Sequence, residues 1–139
     1  MKMRFFWLFL LGILFVPRFI LAEDLCTNPV KTEAGLVQGK KSEDTNTCVW
    51  LGIPYAEAPV GELRWKAPKP KKGWEGVREA NQWGAKCMQE STVFMTERKD
   101  EADQMSEDCL YLNIWRPKTR GLRLFPVMVW IHGGGYTMG

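Results

Sequence analysis

The sequence predicts an α/β fold, and two neighbouring features carry that prediction. The segment FPVMVWIH, residues 125–132, is almost continuously apolar, which is typical of a strand buried on both faces of a mostly parallel sheet. Three glycines, Gly133, Gly134 and Gly135, follow it at once. A buried strand that leads into a glycine-rich loop indicates an α/β sheet whose functional groups lie at the carboxyl end of the strand.

Residues 1–22 have the features of a secretory signal peptide. Lys2 and Arg4 precede an apolar run of 12 residues, FFWLFLLGILFV, and the small residue Ala22 comes just before the first acidic residue. A membrane anchor is the alternative, but it needs roughly 20 apolar residues, and Arg18 interrupts any extension of the run. We therefore expect cleavage after Ala22, which leaves residues 23–139 as the mature chain.

The positive charge of the chain belongs to this signal. Three of the 19 basic residues and none of the 16 acidic residues lie in residues 1–22, so the mature chain carries 16 of each. A net charge near zero gives no support for binding to nucleic acid or to an anionic membrane. We expect neither of these partners once the signal has been removed.

Four cysteines occur in this chain, which we expect to be exported. An even number of cysteines in an oxidising compartment favours disulfides, with three connectivities open for Cys26, Cys48, Cys87 and Cys109. Zinc binding is the alternative, but the sequence has no Cys-x-x-Cys and only one histidine. We predict two disulfides, no metal and no cofactor.

The first half of the mature chain predicts short strands and then an irregular segment. The apolar runs GLVQG and CVWLGI predict strands joined by the polar hairpin loop KKSEDTNT. Between residues 59 and 87, prolines and glycines are too frequent for long helices or central strands. We expect this segment to follow the surface, with Trp65, Trp74 and Trp83 packed as anchors.

A polar stretch and a further strand precede the buried one. Residues 88–106 are polar and predict an exposed loop between Cys87 and Cys109. In LYLNIW, side chains alternate between two faces, which predicts a strand that ends at Pro117. The turn TRGLRL then leads to the buried strand.

The glycine loop has three functional interpretations besides a plain turn. A phosphate-binding loop needs a lysine after its last glycine, and none follows in this chain; the dinucleotide pattern Gly-x-Gly-x-x-Gly fails because Met138 takes the place of its third glycine. An oxyanion hole fits better. Glycines let backbone N–H groups approach the oxyanion of an ester under attack without a Cβ in the way. The combination of strand, His132 and three glycines favours this interpretation over a plain turn.

Three ordered blocks of the mature chain resemble the type-B carboxylesterases, the relatives of the cholinesterases. GIPYAEAPVGELRWKAPKP is similar to the N-terminal block of that family, SEDCLYLNIW to its best-known signature, and PVMVWIHGGGY to its oxyanion strand and loop. The resemblance implies the α/β-hydrolase fold, N-terminal part only: short N-terminal strands, an irregular Pro/Gly-rich segment and the first strands of the central sheet.

The resemblance also implies the residues of the site. Gly134 and Gly135 are expected to donate hydrogen bonds to the oxyanion from their backbone N–H groups, with a third donor from the residue after the nucleophilic serine. His132 occupies a scaffold position rather than that of the catalytic base. None of the three serines of the mature chain lies in a Gly-x-Ser-x-Gly elbow, so Ser42, Ser91 and Ser106 are not candidates for the nucleophile.

Structural pairs are implied in the same way. The resemblance pairs Cys87 with Cys109, and it predicts a buried salt bridge between Arg64 and Glu107 with a structural role. The two other cysteines, Cys26 and Cys48, form the second candidate pair; free buried cysteines are the alternative there.

The function implied is that of a secreted or periplasmic serine carboxylesterase acting on a small-molecule ester. Family members are several times longer, and their Ser, Asp/Glu and His follow the oxyanion loop. We therefore expect the chain to be an N-terminal fragment that is inactive alone. Phe94 is the only aromatic residue within 88–108, which disfavours a choline ester. The alternative is a recognition or adhesion domain without the catalytic serine, although such a domain has no need of the glycine loop.

Overall fold

A computed structural model of the chain describes residues 24–89, 104–118 and 124–139. The predicted signal peptide, residues 1–22, lies outside these ranges. Within them, no helix is long and apolar enough to cross a membrane. The elements are a single turn of 3-10 helix, Gly61–Leu63, and six strands: β1 Val30–Lys31, β2 Leu36–Gln38, β3 Lys40–Lys41, β4 Thr47–Pro54, β5 Val77–Glu79 and β6 Tyr111–Pro117.

The strands form two small sheets. In the first, β2 lies between β1, which is antiparallel to it, and β5, which is parallel. In the second, β4 lies between β3 and β6 and is antiparallel to both. The predicted strand in CVWLGI is present within β4, and the predicted strand in LYLNIW is present as β6. The predicted hairpin is wrong, since GLVQG contains β2 of the other sheet and β4 pairs instead with Lys40–Lys41, the first two residues of the predicted loop KKSEDTNT.

The core lies around β4, the longest strand. Seven of its eight residues are buried, because β3 and β6 cover its edges and other segments cover its faces. Its sequence, TCVWLGIP, is rich in the β-branched and aromatic residues that suit such a position. The Cys26–Cys48 disulfide is present and holds the N-terminal segment in this core, where Val37, Trp50 and Ala80 pack beside it.

A bulge in β4 brings the irregular segment close to β6. The register of β4 against β6 shifts between Trp50 and Ile53, and Gly52 there has a φ of +66°. A Cβ on Gly52 would lie 2.5 Å from the carbonyl oxygen of Gln82, so only glycine permits this approach. The Gly52 N–H donates instead to Oδ1 of Asn113, at 2.9 Å. The bulge thus fixes where the chain around Gln82 meets β6.

The irregular segment contains no long helix or central strand, as predicted, but its tryptophans have three different roles. Trp74 packs against the core, and its indole N–H donates to the carbonyl of Leu36 at 3.0 Å. Trp83 is half-exposed and its ring centre lies 5.8 Å from that of Trp115. The prediction that Trp65 is a packing anchor is wrong, since its side chain is 94% exposed. The spacing of aromatic residues alone does not say which of them reach the core.

The segment predicted as a buried strand, FPVMVWIH, is the main disagreement between sequence and structure. Residues 125–132 form no strand, and Val127, Met128 and Trp130 are more than 80% exposed. An apolar strand becomes buried only when neighbouring strands take up its backbone hydrogen bonds and other elements cover its faces. No strand among the described residues pairs with this segment, so its backbone and side chains remain exposed.

Glu57 binds the backbone and side chain of two lysines in the irregular segment, and its ionisation should make the stability of the fold depend on pH in the acid range. Its carboxylate accepts a hydrogen bond from the backbone N–H of Lys72 at 2.6 Å and lies 3.3 Å from the ammonium of Lys71. The hydrogen bond from the Lys72 N–H has the largest effect and lowers the pKa of Glu57 from its usual 4.5; burial opposes it, and the hydrogen bond and charge of Lys71 lower the pKa further.

We therefore expect Glu57→Gln to flatten the acid limb of the stability profile. A carboxylate with a lowered pKa stabilises the fold above its unfolded value of about 4.5, and this contribution is lost as the pH falls through the folded pKa. Urea unfolding between pH 7 and pH 3 measures it. Glu62→Gln is the control, because that carboxylate is fully exposed and 3.8 Å from Lys66. If the unfolding free energies of the two variants changed with pH in the same way, the stabilising role of the Glu57 carboxylate would be contradicted.

Candidate active site

The glycine loop, residues 133–135, lies in an open cavity of about 1030 Å³. Part of its lining comes from the chain on either side of the Cys87–Cys109 disulfide, which joins the end of the irregular segment to the start of β6. The cavity is lined by residues 83–89, Cys109, Tyr111, Asn113 and residues 131–139. The predicted oxyanion residues and the predicted disulfide are therefore parts of one site.

The loop holds three successive residues in a backbone conformation that favours glycine. The φ angles are +126° at Gly134, +61° at Gly135 and +64° at Tyr136. A Cβ on Gly134 would overlap the carbonyl group of Met138, whereas a Cβ on Gly135 would meet no atom within 4 Å. Gly134 is thus required by close packing of the loop, and Gly135 by its open, left-handed backbone.

Backbone hydrogen bonds close the turn but leave the predicted donors free. The N–H groups of Thr137 and Met138 donate to the carbonyl of Gly134, at 3.1 and 3.2 Å, and the Thr137 hydroxyl donates to the same oxygen at 3.0 Å. The N–H groups of Gly134 and Gly135 donate to no other described residue. Two unpaired donors on a left-handed backbone, at the edge of an open cavity, can bind an oxyanion or a carbonyl oxygen.

His132 lies beside the loop without the partner that a catalytic base needs. Its Nδ1 is 2.9 Å from the carbonyl oxygen of Gly133, and no salt bridge joins its ring to a carboxylate among the described residues. A base in a serine hydrolase is oriented by an acidic residue and contacts the nucleophile. Of the serines, Ser42 and Ser106 cap local turns, with Thr45 and Asp108 as the respective N–H donors.

Two aromatic residues that flank the Cys87–Cys109 disulfide in sequence, Trp83 and Tyr111, also line the cavity. Gly84 lies against the ring of Tyr111, so closely that a Cβ would be 2.5 Å from the ring atom Cδ2. Partial burial, followed by the hydrogen bond to Asp108 and the negative charge of that residue, raises the pKa of Tyr111 above its usual value of 10.0, so its hydroxyl stays protonated at neutral pH. Tyr111 and Trp83 provide ring faces that can contact an apolar part of a ligand.

The ion pair between Arg64 and Glu107 is present, but it is not buried as predicted. Nη2 of Arg64 lies 2.8 Å from Oε1 of Glu107, while the two side chains remain 57% and 41% exposed. Such exposed pairs contribute little to stability, on the order of 0–1 kcal/mol. Among the described residues, nothing covers this pair, which is why its burial differs from the prediction.

Sequence reasoning did not place Trp83, Gln89 or Tyr111 in the cavity, although all three line it. Each lies within four positions of Cys87 or Cys109, so the predicted disulfide already brought them together. The loop between these cysteines is described only in part, and Ser91 and Phe94 lie outside the described residues. The described ranges contain no cluster of His, Cys, Asp and Glu that could hold a metal ion.

Comparison with known proteins assigns the family. The sequence profile of the Carboxylesterase family matches residues 27–139. The chain therefore belongs to the carboxylesterase family.

The relatives that it resembles are esterases. It is 44% identical to the para-nitrobenzyl esterase of Bacillus subtilis, over 79% of this chain and 22% of the relative, and 40% identical to the fumonisin B1 esterase of Sphingopyxis macrogoltabida, over 96% of this chain and 23% of the relative. A solved structure of a PNB esterase aligns with a TM-score of 0.72 at 42% identity, over 81% of this chain and 22% of that one. This likeness confirms the predicted fold class, the N-terminal part of an α/β-hydrolase. The chain spans under a quarter of the length of the curated relatives named here.

Proposed function

We propose that this chain provides the oxyanion hole of a secreted serine carboxylesterase. The observation that carries the proposal is the pair of N–H groups at Gly134 and Gly135, which donate to no other described residue and lie on a left-handed backbone beside an open cavity. Membership of the carboxylesterase family supports an ester as the substrate. The nucleophilic serine, the acidic residue and the catalytic histidine would come from sequence beyond residue 139.

In this mechanism the serine Oγ attacks the carbonyl carbon of the ester while histidine takes the hydroxyl proton. The electron pair of the carbonyl π bond moves to oxygen, and the N–H groups of Gly134 and Gly135 donate to the resulting oxyanion. The C–O bond to the alcohol then breaks as histidine returns the proton to the leaving oxygen. Water hydrolyses the acyl-enzyme by the same steps. Loss of one oxyanion donor lowers kcat by about 100- to 1,000-fold in enzymes of this kind.

Export of the protein rests on two independent features. The described residues contain two disulfides, which form and persist in oxidising compartments. Residues 1–22 have the charged start, apolar run and small cleavage residue of a signal peptide. N-terminal sequencing of the protein recovered from the culture medium or the periplasm tests the predicted cleavage after Ala22.

The catalytic proposal is tested by expressing the whole gene and incubating the protein with a fluorophosphonate, which labels an activated serine. We expect covalent labelling of a serine in a Gly-x-Ser-x-Gly sequence and hydrolysis of p-nitrophenyl acetate. Gly135→Pro should abolish turnover, since proline lacks the N–H and cannot adopt the φ of +61° found there. A folded protein with no labelled serine would instead support a recognition or adhesion domain.

A further inference from the structure

Gln89 makes three hydrogen bonds that join the disulfide to the chain just after the glycine loop. Its Nε2 donates to the carbonyl of Cys87 at 3.2 Å and to the carbonyl of Gly139 at 2.9 Å. Its Oε1 accepts the backbone N–H of Gly139 at 3.0 Å. The side chain thus pairs with the backbone of Gly139 in the way that one strand of a sheet pairs with another.

A primary amide is the group that this arrangement requires. It offers two N–H donors and an acceptor oxygen on one rigid plane, and the three contacts use both donors and the oxygen. A carboxylate of the same length has no donor for the two carbonyl groups, and an apolar side chain has neither donor nor acceptor. The contact also spans a large sequence distance, from position 89 to position 139.

The glycine loop needs such an anchor. Its three residues with positive φ angles, Gly134, Gly135 and Tyr136, are conformationally costly, and the positive φ of Tyr136 is costly for a residue with a Cβ. Among the described residues, the ring of His132 and the side chain of Gln89 contact the end of this loop at Gly139. Gln89 links this end of the loop to the Cys87–Cys109 bridge, because it also donates to the carbonyl of Cys87.

We propose that Gln89 is a positioning residue for the oxyanion donors. By clamping Gly139 to the disulfide, it holds residues 133–138 in the conformation that directs the Gly134 and Gly135 N–H groups into the cavity. The catalytic consequence rests on the proposed esterase function, whereas the clamp itself is a property of the fold.

The test compares Gln89→Met with the wild-type protein expressed from the whole gene. Methionine keeps the length and flexibility of the side chain and removes all three hydrogen bonds. Since displacement of catalytic groups by about 1 Å can cost about 100-fold in rate, we expect kcat for p-nitrophenyl acetate to fall about 10- to 100-fold while KM stays within about twofold. Gln89→Glu keeps an acceptor for the Gly139 N–H, so its kcat should lie between those of the wild type and Gln89→Met.

Gln82→Met is the matched control. Gln82 is exposed, and the same substitution there removes no side-chain hydrogen bond shown by the structure. We expect its kcat, KM and unfolding midpoint to equal those of the wild type. An equal loss of kcat in the Gln82 and Gln89 variants would overturn the proposal.

Amide hydrogen exchange separates the clamp from catalysis. In Gln89→Met, peptides covering residues 133–139 should exchange at least about tenfold faster than in the wild type, with β4 unchanged. Equal exchange in the two proteins would overturn the clamp, whatever the activity. If the wild type turns over no ester and its serine is not labelled, the esterase proposal fails, and faster exchange in Gln89→Met still establishes the clamp. A kcat defect without faster exchange would contradict Gln89 as a positioning residue.

Discussion

Replacing Gly134 by alanine is expected to lower kcat/KM for a short-chain ester by about 100- to 1,000-fold, the effect of losing one oxyanion donor. The added Cβ would overlap the carbonyl group of Met138, whose carbon lies 2.6 Å from the Cβ position. Because the clash is with backbone, no side-chain rotation relieves it, and the turn from residue 134 to residue 138 must open. The hydrogen bonds from Thr137 and Met138 to the Gly134 carbonyl would then be lost, and both oxyanion donors would move.

The control for this prediction is Gly61→Ala. Gly61 also has a positive φ, +52°, but a Cβ there meets no atom within 4 Å, and the residue does not line the cavity. Alanine at this position should cost about 1–2 kcal/mol of unfolding free energy, as expected for a left-handed alanine, without loss of kcat. Steady-state kinetics and urea unfolding of both variants check the prediction. If Gly134→Ala kept wild-type kcat/KM in a folded protein, the N–H of Gly134 would not bind the oxyanion.

Local patterns in the sequence were sufficient to predict three of the strands. Strands β2 and β4 follow from the apolar runs GLVQG and CVWLGI, and β6 follows from the alternation in LYLNIW and from Pro117, whose lack of an N–H prevents the strand from continuing. These features depend on residues close in sequence, so they can be read without knowledge of the neighbours. The Cys87–Cys109 pairing, by contrast, came from the family resemblance, and Cys26–Cys48 was the candidate pair that remained.

Burial was harder to predict, because it depends on which segments meet. Residues 125–132 have the composition of a buried strand, yet among the described residues no strand pairs with them. Trp65 and Trp74 stand in similar Pro/Gly-rich sequence, but only Trp74 reaches the core, through its contact with Leu36 on β2. In both cases the sequence gives the capacity of a side chain to be buried, while the tertiary fold decides the outcome.

The candidate site also combines features that local sequence predicts with features that depend on tertiary contacts. The glycines could be singled out from the sequence, because an apolar run followed by His-Gly-Gly-Gly has few uses other than an oxyanion hole or a turn. The contacts of Gln89 could not be predicted, since a glutamine in a polar loop has no local sequence signature. Its role emerges only when the Cys87–Cys109 bridge brings it within 3 Å of Gly139. Positioning residues of this kind depend on long-range contacts, which a single sequence does not reveal.

The two disulfides allow the effect of chain entropy to be separated from that of core packing. Each joins cysteines 22 positions apart, Cys26 with Cys48 and Cys87 with Cys109. Restriction of the unfolded chain should therefore stabilise the protein equally in the two cases, by about 3 kcal/mol. Their surroundings differ: Cys26 and Cys48 are 1% and 0% exposed, whereas Cys87 lies at the surface beside the cavity.

Replacing both Cys26 and Cys48 by alanine should therefore cost more than replacing both Cys87 and Cys109. The first pair leaves a cavity in the core next to Trp50 and Val37, which adds about 1–2 kcal/mol to the shared entropic loss. Replacing the second pair should instead lower kcat, because Gln89 donates to the carbonyl of Cys87 and so connects the glycine loop to this bridge. Urea unfolding and ester kinetics on the two double variants measure both effects. Equal losses of stability would mean that the core closes around the missing sulfur atoms, and an unchanged kcat in the second variant would mean that Gln89 keeps its position without the bridge.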